Sequence, residues 1–565
     1  MFKGANLVVK PRGVPYPQSQ SLFRRHNQVR RMPVARHFIG WTEPLPQAVR
    51  TALLPAELNG PVDLEGLLVV VPAREAGRRL RRTLAAACAE QNSAVLSLRV
   101  VTPSFFTRPV DPPRNLAADC LVQTAWAHAV ASAGNSAYPA LLPPETPARD
   151  LAWAARFVRS LLSLRQDLCE AGLGVADVPR LLRDDLQEPL RWRDLVALEE
   201  AAVRLLEELG LQDPVRMRLQ HARAPQPPPD INRIVLAACP DPPPALLTVL
   251  DGLCERLPVD VLVPAPESLA HAFDAWGRPT PAHWNTAAIE IPDSHRNILL
   301  AASPRMQSRT ALQQLRADAA AGTLAEAVIG VPDRSVVPFL ETDLQEDGVA
   351  MFDPADLWLR DHPLCQLIDR FCTFAAEQSY RAFSLLIRHP DMLAFLDTPA
   401  DRLLTQLDTF QNLYLPWQFE ECRDRLRRHE SARGHRDPDL AALRAAVDRI
   451  AALLNAYRTA PFETALRHVL ETVYQARMLD ASNPDDEAFE QAARLVDEAL
   501  HGFDNEVLSR LEVPNDDAAR LFVQHLHGMR YHGERENAAL ELLGWLELPW
   551  TESRHLYVTG MNEGS

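Results

Sequence analysis

A series of short apolar runs, about five residues each, constrains this chain more than any other feature. They lie at 66–71, 98–101, 233–238, 259–263, 297–302, 327–331, 538–543 and 555–559, with a shorter one at 38–40. Val, Ile and Leu occupy both alternating positions in most of them, the pattern of a strand buried on both faces of a parallel sheet. Between the runs stand segments with apolar residues at helical spacing, the alternation that builds α/β sheets. The runs form two groups, and each group is interrupted by a long helical stretch. The expected fold is therefore α/β and helix-dominated: two parallel-sheet domains, each with a large helical insertion. The first domain takes 32–115 and 230–295 around an insertion at 116–229. The second takes 296–350 and 536–565 around an insertion at 351–535.

Composition narrows the chemistry. The 565 residues are 47% hydrophobic and 24% charged, with a formal charge of −15. No apolar run reaches the eighteen or so residues of a membrane helix, so a cytoplasmic protein with no membrane partner is expected. The acid excess argues against a surface coated with nucleic acid but leaves room for a basic channel, since local potential governs binding. Eight scattered cysteines without Cys-x-x-Cys spacing read as reduced, buried thiols. The only lysines are Lys3 and Lys10. A phosphate-binding loop uses a compact ammonium between the β- and γ-phosphates, and a guanidinium fork is no equivalent.

Residues 1–31 carry Lys3, Lys10, Arg12, Arg24, Arg25, Arg30 and Arg31 and no acid. They read as a disordered, dispensable extension before a true start at Met32, with a transit peptide as the alternative.

The strand-to-helix loop Gly40-Trp41-Thr42-Glu43-Pro44-Leu45-Pro46 follows the first short run and would make only a degenerate phosphate cradle. Pro44 and Pro46 each remove an N–H donor, and Glu43 puts negative charge where phosphate would sit. After the run 66–71 comes a helix whose first turns hold Arg74, Arg78, Arg79, Arg81 and Arg82, candidates for phosphate contact or for a solvated face. Phe105 and Phe106 follow the run 98–101 and are placed either to stack on bases or to pack in a core. The run 233–238 ends in Ala237-Ala238-Cys239, with Asp241 the nearest acid, so a magnesium-holding carboxylate pair is not expected there. His525, His527, His532 and Glu534 lack the spacing of a zinc site and read as a polar helix end, so no metal is assigned.

The chain closes in NAALELLGWLELPWTESRHLYVTGMNEGS, where a strand breaks into Gly560-Met561-Asn562-Glu563-Gly564. This stretch resembles the Gly-x-x-Glu-Gly region of superfamily-one helicases, and in particular the catalytically degenerate AddB-type subunits of helicase–exonucleases in the PD-(D/E)xK nuclease family. The resemblance implies two RecA-like domains and a place in DNA double-strand-break repair and recombination. It implies a partner, an active UvrD/AddA-type helicase subunit, and a ligand, single-stranded or end-opened DNA. Arg74, Arg78, Arg79, Phe105 and Phe106 are then the DNA-binding candidates, and Gly560, Asn562, Glu563 and Gly564 the family motif. By the same register Pro332 stands where a nucleotide-contacting arginine would be, with Arg334 displaced. No catalytic residue is assigned, and the fragment is expected to be inactive as ATPase and nuclease. A magnesium-dependent nuclease is expected only downstream of Ser565, which reads as an incomplete end that leaves apolar surface beside 326–331 and 555–559. A protein–protein scaffold without DNA contact is the alternative.

Overall fold

The computed structural model describes residues 34–109, 111–134, 137–142, 150–289, 291, 293–355, 357–433, 440–480, 482–531 and 540–562. The extension 1–31, His532, Glu534, Glu563 and Gly564 lie outside them.

The first sheet has five strands: β1 (Ala35–Phe38), β2 (Leu67–Val70), β3 (Arg99–Val101), β4 (Arg233–Ala237) and β5 (Val259–Val263). They lie in the order β1-β5-β4-β2-β3, all parallel, with Val69 opposite both Val235 and Val100. Alternation sorts the side chains. Leu68, Val70, Ile234 and Leu236 face the helix Pro244–Leu253, while Leu67, Val69, Val235 and Ala237 face α1 (Leu45–Leu53) and α2 (Arg74–Glu90). Each of these buried side chains is worth about 1.5–3 kcal/mol where it is large and aliphatic. One charge sits inside the sheet: Asp260 on β5 accepts from Arg233 Nε and pairs with His37 Nε2, both at 2.7 Å. Burial alone would raise its pKa, yet the hydrogen bonds from Arg233 and His37 leave it below the usual value.

The second sheet has four parallel strands: β6 (Ala327–Gly330), β7 (Met351–Phe352), β8 (Leu540–Leu543) and β9 (His555–Val558), in the order β9-β6-β8-β7. The two C-terminal runs therefore do not pair with each other; β6 lies between them, with Ile329 opposite Leu542 and Tyr557. One face packs Ile329 and Leu542 against Leu312 and Leu315 of the helix Pro304–Ala321 and Leu340 and Leu344 of the helix Val337–Glu346. The opposite face is only partly covered. Leu556 is 44% exposed and Val558 38%.

One expected strand does not form. Residues 294–297 make a helical turn and 298–302 run irregularly, with Leu300 99% exposed. The apolar string fits a strand, but among the described residues no strand pairs with it, and pairing rather than propensity makes a strand.

The two helical insertions share a core. Trp126, Leu198 and Leu206 of the first belong to one apolar cluster with Phe371, Phe383, Phe503 and Phe522 of the second. Arg510 donates to the carbonyls of Glu208 and Leu209 across the join. An antiparallel pair, Leu357–Trp358 with Arg530–Tyr531, carries the chain out of the second sheet domain and back. All eight cysteines are buried, and none forms a disulfide.

Candidate nucleic-acid interface

β3 is the edge strand of the first sheet, and beside it opens a cavity of about 1370 Å³. Leu68, Val101, Ile231 and Val249 give it apolar walls. Its charged lining is one-sided. Arg74 and Arg81 come from α2, Arg99 from β3 and Arg108 from the turn beyond it. Arg218 and His221 come from the helix Pro214–Arg223, and among the described lining residues the one carboxylate is Glu170. Two of these arginines are positioned by neutral acceptors: Arg81 donates to the Val100 carbonyl at 2.9 Å and Arg218 to Gln166 Oε1 at 3.0 Å. Burial lowers the pKa of His221, so the positive charge rests on the arginines. Cations crowded against apolar walls and facing one acid make a local basic potential inside an acidic protein, which is what a polyanion requires.

The sequence candidates divide between this cavity and other places. Arg74 and Phe105 line it, and Phe105 is 42% exposed. Phe106 also borders it but is 3% exposed and belongs to the core under the first sheet, its ring meeting Phe105 edge-on at 5.2 Å. Stacking on a base needs an open face, so Phe106 leaves the interface. Arg78 and Arg79 leave it as well. Arg78 donates to both oxygens of Glu75 at 2.7 Å and to Glu541 Oε1 at 3.1 Å. Arg79 donates to Glu75 Oε1 at 2.9 Å and to Glu541 Oε2. One cause is local, Glu75 three and four residues before them on the helix, and one is remote, Glu541 on β8 more than four hundred residues along; carboxylates hold the donors that phosphates would need. Arg99, Arg108 and Arg218 carry no local signal that marks them in the sequence. Arg218 belongs to a helix that only the tertiary fold brings over β3.

Backbone donors at both ends of the loop after β1 are already engaged. The N–H of Gly40 donates to the Ala265 carbonyl at 3.1 Å, and those of Gln47 and Ala48 to the Pro44 carbonyl. Pro44 and Pro46 have no N–H, and Pro46 is buried while Trp41 and Glu43 are exposed. At the end of β4, Cys239 Sγ lies 3.7 Å from the Val70 carbonyl, and burial pushes its thiol pKa up. Arg334 donates to Asp353 Oδ1 at 3.0 Å, which ties it beside β7. Gly560 and Asn562 close on the turn after β6. Gly560, at φ +71°, approaches so near Asp333 that a Cβ would lie 2.5 Å from the Asp333 Cβ. Its N–H donates to Gln307 Oε1 at 2.6 Å, and Asn562 Nδ2 reaches Asp333 Oδ2 at 3.5 Å. These contacts fit Gly560 and Asn562 to the second sheet's carboxyl edge as a structural joint.

No protein-family model matches the chain, and no curated protein matches it either.

Proposed function

We propose that this chain is the non-catalytic, helicase-like portion of an AddB-type subunit, with two RecA-like domains, that holds and steers single-stranded DNA beside an active UvrD/AddA-type helicase in double-strand-break repair. The observation that carries the reading is the arginine-lined cavity beside β3, with Phe105 at hand to stack on a base. Single-strand binders combine these two elements, a basic groove for the backbone and an aromatic face for the bases. The proline-blocked loop at 40–46 and the missing lysine support a passive holder rather than a motor. Fluorescence anisotropy with a labelled oligothymidylate tests the reading. Affinity should fall linearly with the logarithm of salt concentration; the absence of binding at low salt refutes it.

One observation favours the scaffold reading instead. Leu413, Leu415 and Trp417 are 69%, 71% and 81% exposed on one turn of the second helical insertion. A clustered apolar surface of this kind is a common protein-docking feature. The same titration separates the two readings, since a scaffold has no DNA affinity for salt to weaken.

A further inference from the structure

The partly covered face of the second sheet is turned toward α2. Glu541 on β8, 8% exposed, sits against Arg78 and Arg79, and Glu75 closes the group on the other side. Two cations thus meet two carboxylates, one carboxylate from each sheet domain. From β8 the chain crosses toward the first domain. Leu548 covers Gly330, where a Cβ would come within 2.7 Å of its Cδ2. Trp550, 1% exposed, joins the core built by Val49, Leu80 and Val235 of the first domain. Glu552 then accepts from Gln47 Nε2 at 2.9 Å and Thr83 Oγ1 at 3.3 Å.

We propose that the segment from Glu541 to Glu552 is a latch that fixes the two sheets at one separation and orientation. Parting them would strip Glu541 of both guanidiniums and at the same time draw Trp550 out of an apolar core. Losing charge-assisted hydrogen bonds and exposing a buried indole are each unfavourable, and the two contacts break together. A ligand shifts such an equilibrium only through differential affinity for the open and closed states. The latch therefore holds the two sheets together without nucleotide, and a nucleotide that makes no differential contact with the parted state leaves them so. This holds whether or not the cavity beside β3 takes DNA.

The test uses spin labels on two exposed positions, Glu65→Cys in the first domain and Glu341→Cys in the second, and pulsed dipolar spectroscopy. The eight native cysteines are buried, so labelling is selective. A single narrow distance distribution is expected, unchanged by ATP with magnesium, and broadened in the Glu541→Gln/Trp550→Ala variant. A broad or two-peaked wild-type distribution overturns the latch, as does a shift on adding nucleotide or an unbroadened variant. If the double variant does not fold, the near-isosteric Glu541→Gln alone is read the same way, and the wild-type distribution needs no change at the latch.

Discussion

Arg165 holds Asp213 through a two-pronged contact, Nη1 to Oδ2 at 2.9 Å and Nη2 to Oδ1 at 2.8 Å, at 2% exposure of the arginine. Its Nε donates to Glu199 at 2.5 Å, and its guanidinium lies 5.5 Å from the Trp126 ring. Asp213 also caps the helix Pro214–Arg223 by accepting from the Arg216 N–H at 2.8 Å. That helix carries Arg218 and His221 to the cavity, so a buried ion pair in the helical body sets the position of charge at the surface.

Asp213→Asn should therefore act twice. It leaves Arg165 with Glu199 as a carboxylate partner and an amide oxygen in place of the other, so the loss should fall below the figure of about 3–5 kcal/mol for a buried charge left wholly unpaired. It also shifts Arg218 and weakens oligonucleotide binding, although residue 213 does not line the cavity. Chemical denaturation measures the first effect, and anisotropy under native conditions the second.

Arg74, Arg99 and Arg108 should each contribute to the salt dependence of single-strand binding. Substitution by Ala is expected to reduce the slope of log affinity against log salt by about 0.7 for every phosphate that the variant no longer neutralises. Arg78→Ala, by contrast, should leave the slope unchanged, since its guanidinium faces Glu75 and Glu541. A slope change at Arg78 and none at the other three would reverse the assignment.

Local patterns carry the fold well and the site poorly, for one physical reason. A strand such as Val259–Val263 or a helix such as Pro189–Glu208 declares itself through periodicity over its own few residues. A side chain's partner does not. Arg78 and Arg79 of α2 meet Glu75 on their own helix, but their second partner, Glu541, arrives from the far end of the chain. The adjacent rings of Phe105 and Phe106 are equal in sequence, and only the folded core claims one of them. The failed strand at 298–302 shows the converse, a correct local pattern without a neighbour to pair with.

His362 and His389 give the stability a defined pH dependence. Each precedes a proline at a helix start, and each ring accepts a backbone N–H through Nδ1, from Leu364 at 3.1 Å and from Asp391 at 3.2 Å. Burial, the largest influence on both, lowers their pKa below the ordinary 6.5. The unfolded chain then binds more protons than the folded one as pH drops below about 6.5, so stability is full above that value and is lost as pH falls toward the folded-state pKa values. Melting temperature measured from pH 7.5 downward should decline through this window. His389→Gln, which keeps an acceptor for the Asp391 N–H, should flatten the decline; an unchanged profile would place the titration elsewhere.

Phe105 and Phe106 should part in opposite ways when each is changed to Ala. Phe106, buried among Leu68, Leu246 and Leu250, fills volume that its neighbours cannot fully reclaim, so its loss should cost about 3–5 kcal/mol of stability. Phe105, at 42% exposure, gives up little apolar burial and should leave the melting temperature nearly unchanged. Its ring is the aromatic face available beside Arg74 and Arg108, and stacking of one base is worth about 1–3 kcal/mol. Single-strand affinity should accordingly drop by about five-fold or more in Phe105→Ala, with the salt slope intact because every cation stays in place. Phe105→Trp should retain affinity. A Phe105→Ala protein that binds as tightly as the wild type would leave the arginines of the cavity as the whole of the interface.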